Sequence, residues 1–244
     1  MRKKRKRKHP VRKFFMSLLA FLLCMLFAVC AFYGAQGYQM YQEAIEEKPI
    51  SGRVEEIRSM EGFTPYSELP ECYIDATISV EDHRFETHVG IDPIAIARAA
   101  WADIRAMSFV EGGSTITQQL VKNLLFTQDK KIERKAAEVF AALEMEKEYT
   151  KEEIFELYAN TVYFGSGYYG IGQASRGYFE KAPSELTDYE CVMLAGIPNA
   201  PSVYSPDSNT ELVKQRMSHV LDSMVRNHII TQEEVEQIKS GNNN

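Results

Sequence analysis

The 244-residue sequence predicts a mainly α-helical domain preceded by one membrane-spanning helix. Three observations predict it. Phe14 to Ala35 runs 22 residues without a charge, long enough at 1.5 Å per residue to cross a hydrocarbon core of about 30 Å. Helix-start signals then recur: Thr115–Gln118, Thr150–Glu153, Thr187–Glu190 and Thr231–Glu234 have capping-box spacing. Pro70 and Pro93 suit first-turn positions, the latter behind Asp92 as N-cap. Alternation with period two, the mark of a half-buried strand, is scarce.

Taken in order, residues 1–13 form a basic tail holding nine of the 28 Lys and Arg, and the anchor spans residues 14–35. The positive-inside rule places the tail in the cytoplasm and the rest outside. A secretory signal peptide is the competing reading, with Ala28-Val29-Cys30 as a passable cleavage site. Residues 36–65 are polar and mixed, with Pro49, Gly52, Gly62 and Pro65 expected to break any long helix, and read as an approach segment. One folded domain follows over 66–239, then a frayed tail, 240–244. With 45% hydrophobic residues the chain can bury one sizeable core. From residue 14 onward, 19 basic residues face 34 acidic ones, which argues against nucleic acid as a partner. An anionic substrate would need a local basic pocket. Cys24, Cys30, Cys72 and Cys191 show no zinc spacing and no disulfide framework, and read as small buried hydrophobes.

Chemistry concentrates in three stretches. Glu81 to Gly90 follows an apolar helical run (Tyr73, Ile74, Ala76, Thr77, Ile78, Val80) and puts a carboxylate at the end of a rigid element, near Asp82, His83, Arg84 and His88. General-base chemistry wants such a support, although a charged helix end would look the same. In the second stretch, Thr115, Gln118, Gln119, Lys122 and Asn123 fall on one arc of a helical wheel, opposite Ile116, Leu120, Val121, Leu124 and Leu125. Gly112-Gly113-Ser114 ahead of it offers a turn whose free N–H groups suit an anion, as in any capped surface helix. The third is a helix over Lys131–Glu148 with Arg134, Lys135 and Glu138, by itself a solvated ion-pair ladder. Between the first two, Trp101 to Val110 places Trp101, Met107, Phe109 and Val110 around a helix break. These are ordinary core or an apolar lip dipping into the bilayer interface.

The motifs Glu81-Asp82-x-x-Phe85-x-x-His88-x-Gly90 and Gly112-Gly113-Ser114-Thr115-Ile116-Thr117-Gln118-Gln119-x-x-Lys122-Asn123 resemble the first two of the peptidoglycan glycosyltransferases, the family 51 glycosyltransferases. Arg134-Lys135-x-x-Glu138 with Ala142 and Glu146-Lys147 is similar to the third, Tyr158 to Gly165 to the fourth, and Ala195 to Pro206 to the fifth. The likeness covers roughly residues 54–225. It implies a lysozyme-like helical domain with a large lobe and a smaller membrane-facing lobe, and it favours the apolar lip. Ser-x-x-Lys and Lys-Thr-Gly are absent from the sequence, so the form without a transpeptidase domain is expected.

The resemblance implies that lipid II units are polymerised into glycan strands. Glu81 would act as general base on a sugar 4-hydroxyl, its pKa raised by burial, and Glu138 would orient cations or assist the departing phosphate. Lys122, Arg134 and Lys135 would receive the polyprenyl pyrophosphate, with Ser114, Gln118, Gln119, Asn123 and Arg84 completing the substrate site. No organic cofactor and no protein metal ligands are expected, with magnesium or manganese left open as a divalent cation. Expected partners are lipid II, the growing glycan chain, the bacterial membrane, phosphoglycolipid inhibitors of the moenomycin type and the cell wall synthesis machinery. Two other readings stay open: a lysozyme-type glycosidase, whose Glu would work protonated, and an inactive membrane-tethered scaffold.

Overall fold

The computed structural model describes residues 10–108, 112–126 and 131–241. Twelve α-helices and no strand ladder occur among them: α1 (Pro10–Glu47), α2 (Ile50–Arg58), α3 (Glu71–Glu81), α4 (Pro93–Ala106), α5 (Ile116–Leu125), α6 (Ile132–Glu148), α7 (Lys151–Thr161), α8 (Ile171–Phe179), α9 (Asp188–Gly196), α10 (Pro201–Tyr204), α11 (Thr210–Arg226) and α12 (Gln232–Ser240). All four expected capping boxes form, and Asp92 caps α4 with Pro93 in its first turn.

α1 does not stop where the uncharged run stops. It continues to Glu47 because residues 36–47 hold no proline and bring Gly37, Tyr41 and Ala44 onto one buried face. That face crosses α6. A Cβ on Gly37 would lie 2.8 Å from the backbone nitrogen of Ala137, so the crossing needs glycine. Phe140 of α6 meets Tyr38 edge-on, with centroids 5.2 Å apart. Pro49 ends the helix by disfavouring helical geometry at Lys48. The rest of the expected approach segment is largely α2, which buries Ile50, Val54 and Ile57. Arg53 of α2 donates to the carbonyls of Ala44 (3.2 Å), Lys48 (3.3 Å) and Leu124 (2.9 Å), closing the C-terminal ends of α1 and α5.

The main core is continuous from Tyr41 to Ile238 and centres on α7, whose Ile154, Phe155, Leu157, Tyr158 and Ala159 are all buried. α3 packs against α9 and α11, and α5 against α6 and α7. α4 stands apart, burying only Ala99. Trp101 is 69% exposed and Met107 93%, with Ile94 and Ile104 also exposed, so these residues form an apolar surface and not core. Phe109 and Val110, the rest of the expected lip, lie outside the described residues, as do most of the basic tail and residues 242–244.

Candidate active site

Glu81 is the last residue of α3, and its side chain is 11% exposed. Both carboxylate oxygens accept hydrogen bonds. Arg216 Nη2 donates to Oε1 at 3.1 Å, and Gln119 Nε2 to Oε2 at 3.0 Å. Arg216 is itself fixed, its Nε donating to the Gly196 carbonyl at 3.0 Å and its guanidinium carbon 5.7 Å from the centre of the Tyr204 ring. A helix end and two directed donors therefore hold the carboxylate as an acceptor.

The next residue links this helix to α5. Asp82 Oδ2 accepts the Ile116 N–H at 2.9 Å and lies 2.8 Å from His88 Nε2. Thr115 Oγ1 accepts the Gln118 N–H at 3.0 Å and donates to the Gly90 carbonyl at 2.7 Å. Gly90 has φ +91°, and a Cβ there would stand 2.7 Å from the Ala142 carbonyl oxygen, so the turn needs glycine twice over. The first two motifs thus converge through backbone capping.

This geometry gives two of the expected substrate residues partners within the protein. Gln118 is buried, and its amide oxygen accepts the Thr115 N–H at 3.1 Å. It completes the capping box instead of facing a phosphate. Arg84 pairs with Asp92, Nε to Oδ2 at 2.8 Å and Nη2 to Oδ1, while Asp92 accepts from the first N–H groups of α4. Arg84 therefore braces the loop into α4.

The cations gather on α6. Glu138 is 1% exposed, with Lys135 Nζ 2.6 Å from Oε2 and Arg134 Nε 3.3 Å from Oε1. A carboxylate that deeply buried is no part of a solvated ladder. It fixes two cations whose removal would leave it uncompensated. Lys135 also donates to Ser114 Oγ at 2.7 Å. Lys122 lies within electrostatic reach of Glu138, Lys135, Arg134 and Glu81. Burial lowers its pKa first; Glu138 and Glu81 oppose this, whereas Lys135 and Arg134 add to it.

Beside these groups opens a cavity of about 610 Å³. It is lined by Gln119, Lys122 and Asn123 of α5, by Arg53 and Met60, and by Thr161 to Tyr163, Tyr169, Pro198 and Pro201. Gln119 touches Glu81 and lines the cavity next to Lys122, which ties the acid to the space. Glu81, Ser114, Arg134, Lys135 and Glu138 stand outside the lining, with Gln119 as the link to Glu81 and Lys122 as the link to the others. The fourth and fifth motifs brace this space. Asn160 accepts the Thr64 N–H and donates to the Thr64 carbonyl, both at 2.8 Å.

Sequence reasoning missed Arg216 and Arg53. Arg216 carried a signal: it follows Val213 by three residues and precedes Val220 by four, a cation bordering the buried stripe of α11. Among the described residues no group of three or more His, Cys, Asp or Glu side chains is placed to hold a metal ion.

The chain is thus mainly helical, with one long apolar helix, a fixed carboxylate at Glu81, and cations gathered around the buried Glu138 beside a cavity. Residues 49–225 match the family model described as Transglycosylase, and the chain belongs to that family. It is 43% identical over 175 residues to penicillin-binding protein 1A of Aquifex aeolicus, covering 72% of this chain and 24% of that protein. Against penicillin-binding protein 1F of Bacillus subtilis the identity is 47% over 158 residues, covering 65% and 22%. The chain thus spans about a quarter of the length of the curated relatives it matches.

Proposed function

We propose that this chain is a peptidoglycan glycosyltransferase that polymerises lipid II. Glu81 accepts the proton of the acceptor's sugar 4-hydroxyl as that oxygen forms a bond to the donor's anomeric carbon. The bond from that carbon to the pyrophosphate oxygen breaks, and its electron pair leaves with the polyprenyl pyrophosphate. This leaving group is already a stable anion, so it needs positive charge more than a proton. Lys122, at the cavity wall, supplies the first charge, and Arg134 and Lys135 extend the field behind it. Glu138 holds those two cations in place. Asn123 and Gln119 offer amide groups to substrate oxygens.

One observation carries the reading: Gln119, which donates to the Glu81 carboxylate, and Lys122, within electrostatic reach of Glu81 and of the cations on α6, lie one helical turn apart and line the same cavity. A neutral glycan, the substrate of a glycosidase, has no use for that cluster. Glu81 and Glu138 are both paired with cations, so a magnesium or manganese ion at this site would not take either as a free carboxylate.

The anchor supports the same assignment. α1 holds an apolar window with mean hydropathy 2.7 and none of it buried, as a membrane helix requires. With Arg12, Lys13 and the preceding basic residues on the cytoplasmic side, the domain faces outward. Phosphoglycolipids of the moenomycin type would compete for the cation cluster, and the cell wall synthesis machinery is the natural protein partner. The test is incubation of the purified chain with lipid-linked disaccharide and separation of the products on a gel. Glycan polymer supports the proposal; unchanged substrate, or cleavage of a preformed glycan, overturns it.

A further inference from the structure

We propose that Cys72 and Cys191 are the two halves of a disulfide site that ties α3 to α9. Cys72 lies in the first turn of α3 and Cys191 in α9, and the two helices pack together. Cys72 Sγ is 3.8 Å from the carbonyl oxygen of Asp188, one turn before Cys191 on the same helix. Helical side chains lean toward the N-terminus, which carries the Cys191 thiol over that same turn. Among its surroundings, Cys191 is the group that acts most strongly on the Cys72 thiol. Cys24 and Cys30 are elsewhere, exposed on the apolar helix α1.

Access to the pair is one-sided. Cys191 is fully buried, whereas Cys72 is half-buried and forms part of the wall of a second cavity, of about 700 Å³, together with Pro70, Asp75, Thr187 and Ile238. A disulfide reagent entering there meets Cys72 first. The Cys72 thiolate attacks one reagent sulfur, forming a mixed disulfide and expelling one reagent thiol. The Cys191 thiolate then attacks the Cys72 sulfur, expels the second reagent thiol and leaves the Cys72–Cys191 bond. Two protein thiols are oxidised, one reagent disulfide is reduced to two thiols, and the two protons end on the reagent sulfurs.

The neighbouring Cys191 thiol, together with burial, pushes the Cys72 thiol up. Little thiolate exists at neutral pH, so closure is slow and quickens as pH rises. With its pKa raised, Cys72 is also a poor leaving group, so the bond resists reopening at that sulfur. These properties suit a structural cross-link more than a switch. The link would join the first turn of the helix that ends in Glu81 to the helix whose Gly196 carbonyl fixes Arg216. On the outer face of a membrane, where the proposed topology puts the domain, such oxidants are available.

The full-length protein in detergent is incubated with oxidised and reduced glutathione at rising ratio, quenched with an alkylating reagent, digested and analysed by mass spectrometry. The expected product is a peptide pair joined through Cys72 and Cys191, absent from Cys72→Ser and Cys191→Ser, forming about tenfold faster per pH unit below the thiol pKa. Glutathione adducts on Cys72 without that link, or four thiols still open to alkylation, would overturn the proposal. The measurement needs no glycan substrate, so its failure is separate from failure of the proposed function.

Discussion

In its proposed role Lys122 has to be charged to receive a diphosphate, and its surroundings work against that charge. Burial, with Lys135 and Arg134 nearby, lowers its pKa from that of a free lysine, which is about 10.4. The ammonium therefore loses its proton at lower pH than an ordinary lysine would. Donor use should fall along an alkaline limb of kcat/KM that begins below the usual lysine range. Lys122→Arg, whose guanidinium stays charged, should move that limb to higher pH. Identical pH profiles for the two proteins would remove Lys122 from the donor site. Gln118 shows how far residue type alone can mislead. On a helical wheel it shares an arc with Gln119 and Lys122, yet it is also the third helical residue after Thr115, and the capping box claims its side chain. A local hydrogen bond decided its direction, and the wheel holds no such information.

Capping is the interaction that the sequence exposes best among the helices, because it joins residues three apart and needs no tertiary knowledge. That is why α5, α7, α9 and α12 start at their expected threonines. The end of α1 was harder to read. Residues 36–47 are polar on average, and only their contact with α6 shows that Gly37, Tyr41 and Ala44 make a buried stripe. The caps also differ in what they support. Thr115 is buried and bonded to the Gly90 carbonyl between the first two motifs, whereas the α9 cap surrounds an exposed threonine. Thr115→Ala and Thr187→Ala should each lower unfolding free energy by about 0.5–2 kcal/mol in urea titrations. Polymerisation should drop in the first variant and hold in the second. Equal loss in both would show that the α5 cap has no special tie to the site.

Across the whole molecule, the long apolar helix and the candidate site are joined by packing. α1 leaves the apolar stretch and packs directly on α6, the helix that carries Arg134, Lys135 and Glu138. An apolar surface on α4, with Trp101 and Met107 exposed, belongs to the same domain. Substitution of both residues by Glu should raise KM for a long-chain donor in vesicles by more than about tenfold, because each lost apolar side-chain contact costs about 1.5 kcal/mol or more. A short-chain soluble donor should be used as before; equal loss with both donors would place these residues in the fold and not at the bilayer. The contact between Glu81 and Arg216 was out of reach of sequence reasoning for a different reason. It spans 135 positions, and nothing local to either residue names the other.

The most direct test of the central claim is glycan polymerisation by Glu81→Gln, measured beside donor binding in the same preparation. The amide keeps the size of the side chain and can still accept from Gln119 or Arg216, so the fold and donor affinity should survive. Turnover should fall by about 10²–10⁴-fold, the range for loss of a general base. Polymerisation at the wild-type rate would contradict the assignment of Glu81 as the base.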